Sequence, residues 1–151
     1  MNASTSVAMS RTVPRTVPIN ATLDASAALL GRVGLSLIFI ISGWGKIAGY
    51  AGTQQYMEAM GVPGGLLPLV IALELGGGLA ILGGAFTRWI ALALAAFSLA
   101  SAALFHADFG DAAQAINFWK NVAMAGGFLM LAAHGAGTLS LDHALGKRRK
   151  A

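Results

Sequence analysis

Four apolar segments restrict what this chain can become: about Ala25 to Ile47, Gly64 to Phe86, Trp89 to His106 and Ala115 to His134. Each is close to the roughly 20 residues that a helix needs to cross a hydrocarbon core about 30 Å thick. Isolated strands cannot satisfy their backbone groups in lipid, so the expected fold is all-α, an integral membrane four-helix bundle. Composition points the same way. Hydrophobic residues make up 56% of the 151 and charged residues 11%, too few to cover a water-facing surface.

The net charge of +4 is concentrated at the ends: six of the ten basic residues are Arg11, Arg15, Lys147, Arg148, Arg149 and Lys150. They form no groove-sized patch with interleaved aromatics, which argues against a nucleic-acid partner. The chain has no cysteine, which excludes thiolate catalysis, disulfide exchange and cysteine-ligated iron or zinc. Residues 1–24, with the repeat RTVPRTVP at 11–18, read as a disordered basic arm. Residues 25–142 form the membrane domain, and 143–151 a basic tail.

Loop charges set the orientation. With both termini cytoplasmic, Arg11, Arg15, Arg32, Arg88 and the KRRK tail lie inside, while Lys46 and Lys120 lie outside with Glu58, Asp108 and Asp111. Trp44, Tyr50 and Trp119 then mark the outer boundary and Trp89 the inner one. The stretch from Ala48 to Pro63 has room for a short surface helix ended by Gly61 and Pro63. Gly135 and Gly137 can end the fourth helix, and Ser140 can cap a short amphipathic one whose KRRK cluster attracts anionic lipid by about 1 kcal/mol per charge. The row Gly76, Ala80, Gly84 offers a close-packing face.

Helical spacing gathers the polar residues into stripes. They are Arg32, Ser36, Phe39, Gly43 and Lys46 on the first segment; Leu67, Ile71, Glu74, Gly78 and Ile81 on the second; Arg88, Leu92, Ala95, Leu99, Ala102 and His106 on the third; and Lys120, Met124, Gly127, Leu131 and His134 on the fourth. Glu74 is the lone ionisable residue in GGLLPLVIALELGGGLAILGG, residues 64–84. An unpaired charge near the bilayer centre costs at least about 2.5 kcal/mol, and the estimated depth of Arg32 matches that of Glu74, so the two are expected to pair or to share one hydrogen-bonded network. Such a pair could hold helices in register, or Glu74 could exchange protons or bind a polar head group. At the outer end Lys46, His106, Lys120 and Asn121 lie at similar depth, and with Glu74 beneath them they could line a pocket for a quinone-like or other anionic head. His106 and His134 lie ~20 Å apart along the helices and cannot share one haem. His106, Asp108 and Asp111 form H-x-D-x2-D, too loose a pattern to assign a metal site.

The landmarks, taken in order, resemble the DoxX family of small bacterial four-helix inner-membrane proteins. They comprise Arg32 and Gly34, S-G-x-G-K from Ser42 to Lys46, G-x-P at 61–63, Glu74 with Gly77 and Gly78, Thr87-Arg88, Phe105-His106, Lys120-Asn121 and Ser140-Leu141-Asp142. The resemblance runs from about Gly31 to Asp142; Ala136 departs from it, where the family pattern has proline. Members are commonly described as oxidoreductases because relatives resemble a membrane subunit of a thiosulfate:quinone oxidoreductase, and others are linked to quinone or catechol detoxification. A vertebrate relative is an assembly chaperone, so the resemblance does not fix an activity. It carries over no agreed catalytic residue; joined to the polar stripes it leads to a membrane subunit of a quinone-linked redox system, with Arg32, Lys46, Glu74, His106 and Lys120 from those stripes as binding residues and a soluble or peripheral redox protein as partner. A non-catalytic scaffold or assembly factor for a redox or stress-response complex is the alternative. A solute or proton channel would require a homo-oligomer, because four helices make a narrow bundle.

Overall fold

The computed structural model describes residues 21–148. The helices are α1 (Ala21–Ala48), α2 (Tyr50–Ala59), α3 (Gly64–Gly83), α4 (Thr87–Phe105), α5 (Ala112–His134) and α6 (Leu141–Arg148), with no strand among the described residues. Most of the proposed N-terminal arm lies outside the described residues, and positions 21–24 already belong to α1. Among the described residues three helical stretches are long and apolar enough to cross a membrane, Thr22–Ala48, Gly64–Gly83 and Thr87–Phe105. The fourth expected span, α5, has 23 residues but carries Gln114, Asn117, Lys120 and Asn121 in its first half.

α1 and α3 pack most closely through glycine. A Cβ on Gly78 would stand 2.8 Å from Ile40 Cγ1 and 3.2 Å from the Ser36 carbonyl oxygen, and one on Gly43 would stand 2.8 Å from the Leu75 nitrogen. These contacts place Ser36 beside Gly78 and Gly43 beside Leu75, so the two helices run antiparallel. The expected row of Gly76, Ala80 and Gly84 is not this face: a Cβ on Gly76 would meet nothing within 4 Å.

α3 is not one regular helix. It opens with a 3₁₀ turn at Gly64–Leu66, continues as an α-helix over Leu67–Ile71, and widens into a π turn at Ala72–Gly76 before Gly77–Gly83 resumes the α form. A π turn accommodates one extra residue and re-aims the side chains around it. Here it lets Glu74 and the Gly77–Gly78 pair face inward from adjacent turns, all three being buried.

The core joins Phe39, Ile81, Ala91, Leu94, Ala95, Ala125 and Phe128 from four helices. Phe39 meets Phe97 and Phe128 edge-on, with ring centroids 6.3 and 5.3 Å away. On α1 the buried face follows the expected stripe, with Arg32, Ser36, Phe39 and Gly43 inside. On α4 and α5 it follows only in part: Ala95 and Ala102 are buried, and Met124 and Leu131 pack against the core. The buried residues of α4 are Thr87, Ala91, Leu94, Ala95, Ser98 and Ala102, whereas Arg88, Leu92 and Leu99 face outward. In α5 Ala125 and Phe128 are buried, while Lys120 and His134 are exposed. Lipid gives large apolar side chains no reason to avoid the outer surface, so Leu92 and Leu99 stay outside while small residues take many of the helix contacts around Leu94 and Phe128.

At the end of the molecule where α3 meets α4, two side chains, Arg32 and Asp142, tie four segments together. α3 stops at Gly84, which is left-handed at φ +68°; a Cβ there would also overlap the Arg32 guanidinium and the Ser140 side chain. Arg32, 1% exposed, donates to the carbonyls of Ile81 and Leu82 at 3.3 and 3.1 Å and to that of Leu139. It thereby satisfies the carbonyls that a helix leaves open at its C-terminus. Asp142 accepts from the backbone N–H of Phe86 and Thr87 at 2.8 and 2.9 Å, and its own N–H donates to Gly84. A carboxylate from the far end of the sequence thus caps α4, in the position where its charge also suits the helix dipole.

The expected pairing of Arg32 with Glu74 is therefore not formed. The α1–α3 register sets Arg32 level with Ile81, about two helical turns or ~10 Å along α3 from Glu74. Other expectations match the structure: α2 ends before Gly61, at φ +76°, and Gly135 and Gly137, both at positive φ, follow α5. Ser140 Oγ accepts from the His143 N–H at the start of α6.

Candidate functional site

At the opposite end of α1, Lys46 reaches Glu74. Lys46 Nζ donates to Glu74 Oε1 at 3.0 Å and lies 2.8 Å from Oε2, a contact through charge rather than through a directed hydrogen bond. Glu74, only 4% exposed, thus has both carboxylate oxygens in contact with the one ammonium. The pair is unevenly buried, with side-chain exposures of 25% for Lys46 and 6% for Glu74. Lys46 lies in the last turn of α1, where a cation also complements the helix dipole.

Two cavities adjoin the pair. The first, about 280 Å³, lies among α2, α3 and α4 and has mostly apolar walls that include Tyr56, Met57, Leu66, Val70, Ala100 and Leu104. Tyr56 stacks on Phe105 at its rim, with centroids 5.6 Å apart and planes at 27°. The second, about 200 Å³, is more polar and is bounded by Ser42 of α1 and Asn121 and Met124 of α5. Lys46, Glu74, Phe97, Ser101 and His106 line both. The first cavity lies just below the lower end of the roughly 300–1,000 Å³ typical of small-molecule sites, and the second is smaller.

His106 follows the last residue of α4. Its Nδ1 lies 2.7 Å from Gln114 Oε1, in the first turn of α5. A carbonyl oxygen only accepts, so Nδ1 carries the proton and Nε2 remains an acceptor. Asn121 Nδ2 donates to the Asn117 carbonyl, which leaves its Oδ1 as a further acceptor.

Of the five residues proposed from sequence to bind a ligand, Lys46, Glu74 and His106 meet at these cavities. Arg32 belongs to the network at the other end, and Lys120 is exposed. Ser101 and the aromatic rim of Tyr56 have no place among the sequence candidates, and Ser42 is among them only as a family landmark. Ser42 and Ser101 lie within reach of the stripes already drawn, whereas the stacking of α2 on the end of α4 has no sequence signal. Asp108 and Asp111 are engaged by the loop, accepting from the backbone N–H of Gly110 and Ala113. Among the described residues no group of three or more His, Asp or Glu is placed to hold a metal ion.

The comparison with known proteins agrees with this architecture. The DoxX family model matches residues 27–107. Inner membrane protein YqjF of Escherichia coli K12 is 54% identical over 126 residues, covering 83% of this chain and 97% of that protein. Inner membrane protein YphA of the same organism is 42% identical over 121 residues, covering 76% and 86% respectively. No solved structure matches the chain. The matched segment contains Arg32 and Gly84 of the terminal network and Lys46, Glu74 and His106 of the cavity pair. This chain is a multi-pass inner-membrane protein and belongs to the DoxX family.

Proposed function

We propose that the chain is the membrane subunit of a quinone-linked redox system and binds a quinone or a small redox metabolite beside Lys46, Glu74 and His106. The observation that carries this reading is a buried ion pair forming the common wall of an apolar and a polar cavity. An apolar chamber suits a ring and its lipid tail, while Lys46 can donate to a ring oxygen and His106 Nε2 can accept from a ring hydroxyl. Arg32 has a structural part in this account, because its donors already serve three carbonyls, and Lys120 contributes charge at the membrane boundary.

The proposed topology has four spans, with α5 as the fourth and both termini cytoplasmic. Lys46 and His106 then lie toward the outer leaflet, and Arg32, Arg88 and Asp142 toward the cytoplasm. With no cysteine in the chain, electrons pass directly between the bound metabolite and the quinone, or come from a soluble or peripheral redox partner.

Titration of a short-chain quinone into the protein in lipid nanodiscs tests the reading. Saturable binding that weakens at least tenfold in Glu74→Gln, with melting behaviour retained, supports it; equal binding by both proteins refutes it. A non-catalytic scaffold is the second reading. It is supported by the use of Arg32, Gly84 and Asp142 for architecture alone, and it predicts that Glu74→Gln and His106→Ala retain full activity in cells.

A further inference from the structure

Four serines of α1 and α4 fall into two classes. Ser36 and Ser98 are fully buried, line neither cavity and donate to carbonyls of their own helices, Val33 at 3.1 Å and Leu94 at 2.8 Å. Ser42 and Ser101, each nearer the Lys46 end, are half-buried, line the polar cavity and make no hydrogen bond among the described residues. A hydroxyl cut off from water and left without a partner costs about 1–3 kcal/mol, and a helical serine has a carbonyl of its own helix within reach as an alternative. Both serines forgo that alternative where they border the cavity. The cavity has further polar walls in Lys46, Glu74, His106 and Asn121, and its volume of about 200 Å³ has room for several waters at about 30 Å³ each. Lys46 stands in the last turn of α1, and His106 directly follows α4 beside the exposed loop 107–111, so the cavity lies at one end of the molecule. Toward the Arg32 end the way is shut. Phe39 lines the cavity and packs edge-on against Phe97 and Phe128, and Ile81, Leu94 and Phe128 behind it are 0% exposed.

We propose that the polar cavity is a one-sided, water-filled entry, open at the His106 end, that brings water to the Lys46–Glu74 pair. Water held there hydrogen-bonds to Ser42, Ser101 and the remaining N–H groups of Lys46, and it solvates an ion pair that would otherwise be costly inside a membrane. The apolar chamber across the same wall stays dry. The charged and titratable groups that face Glu74 are Lys46 from α1, His106 from the end of α4 and the Tyr56 phenol from α2, while α5 contributes the uncharged Asn121. A proton gained or lost at this pair, or by a ring bound beside it, then exchanges with the His106 side of the membrane only. The proposal concerns the access of water rather than the ring, so it stands or falls separately from quinone binding.

Single thiols introduced into the cysteine-free chain test it. Ser42→Cys, Ser101→Cys, Ser36→Cys and Ser98→Cys each exchange a hydroxyl for a thiol of similar size. A small, charged, membrane-impermeant methanethiosulfonate reagent is applied to the full chain in membranes, from each face in turn. Ser42→Cys and Ser101→Cys should react at least about tenfold faster than the other two, since a thiol in an apolar, dry site is inert. Their reaction should come only from the face that labels Ala107→Cys. Complete labelling of all four variants in denaturant shows that each thiol is intact. Equal reactivity at the four positions, no reaction at Ser42→Cys and Ser101→Cys, or reaction from the opposite face overturns the proposal.

Discussion

Glu74 is paired with Lys46, 28 residues earlier, at 2.8 Å, and both side chains sit where two cavities meet. The exposures of the partners differ, and that difference predicts unequal costs of breaking the pair. Lys46→Met strands a carboxylate that is 6% exposed and should cost at least about 3 kcal/mol of stability. Glu74→Gln strands an ammonium that can move toward water and should cost about 1–2 kcal/mol. Thermal unfolding in detergent of both variants and of Lys46→Met/Glu74→Leu checks this, the double change costing less than the sum of the single ones.

Asp142 caps α4 through Phe86 and Thr87, and Asp142→Ala should cost about 1 kcal/mol. Partial burial alone would raise its carboxyl pKa, but hydrogen bonds from Thr87 and Phe86 and the nearby Arg32 charge hold it below the ordinary value of 3.8. Because the folded pKa is the lower one, the stabilisation is complete above the ordinary carboxylate range and is lost as pH falls through the folded value. The gap between wild type and Asp142→Ala should hold from neutral pH to about pH 5 and close below about pH 4.

Gly84→Ala should destabilise by more than 1 kcal/mol, on the order of 2, since it meets both a left-handed backbone and the Arg32 guanidinium. Gly34→Ala, in the interior of α1 with nothing near the added carbon, should be neutral or stabilise by about 0.5–1 kcal/mol. Melting temperatures of the two variants test the assignment of Gly84 to the Arg32 network.

The absence of native cysteine allows a topology test with single introduced thiols. Ala107→Cys and Thr138→Cys flank α5. A membrane-impermeant maleimide should label the first in cells with a permeabilised outer membrane and the second only after lysis. Labelling of both from one side would contradict the crossing of α5.

Much of this was legible in the sequence. The polar residues of α1 recur at helical spacing, and Gly61, Gly135 and Ser140 mark helix ends through their own backbone or side-chain chemistry. The partner of Glu74 was not legible. It depends on the α1–α3 register set by Gly43 and Gly78, and on a π turn whose extra residue leaves no pattern in the sequence. The faces of α4 and α5 were legible only in part, for a different reason. α4 is apolar nearly all round, and the small residues Ala91 and Ser98 join the expected Ala95 and Ala102 on its buried side while Leu92 and Leu99 stay outside.

The central claim is that the cavity beside Lys46 and Glu74 holds a redox-active ring. It is tested most directly by extracting lipids from the purified protein and measuring quinone and quinol against a variant whose cavity is filled by Val70→Phe and Ala100→Phe. The account predicts near-stoichiometric quinone or quinol in the wild type and little in the filled variant of unchanged fold. No bound quinone in the wild type, or equal amounts in the two proteins, would contradict it.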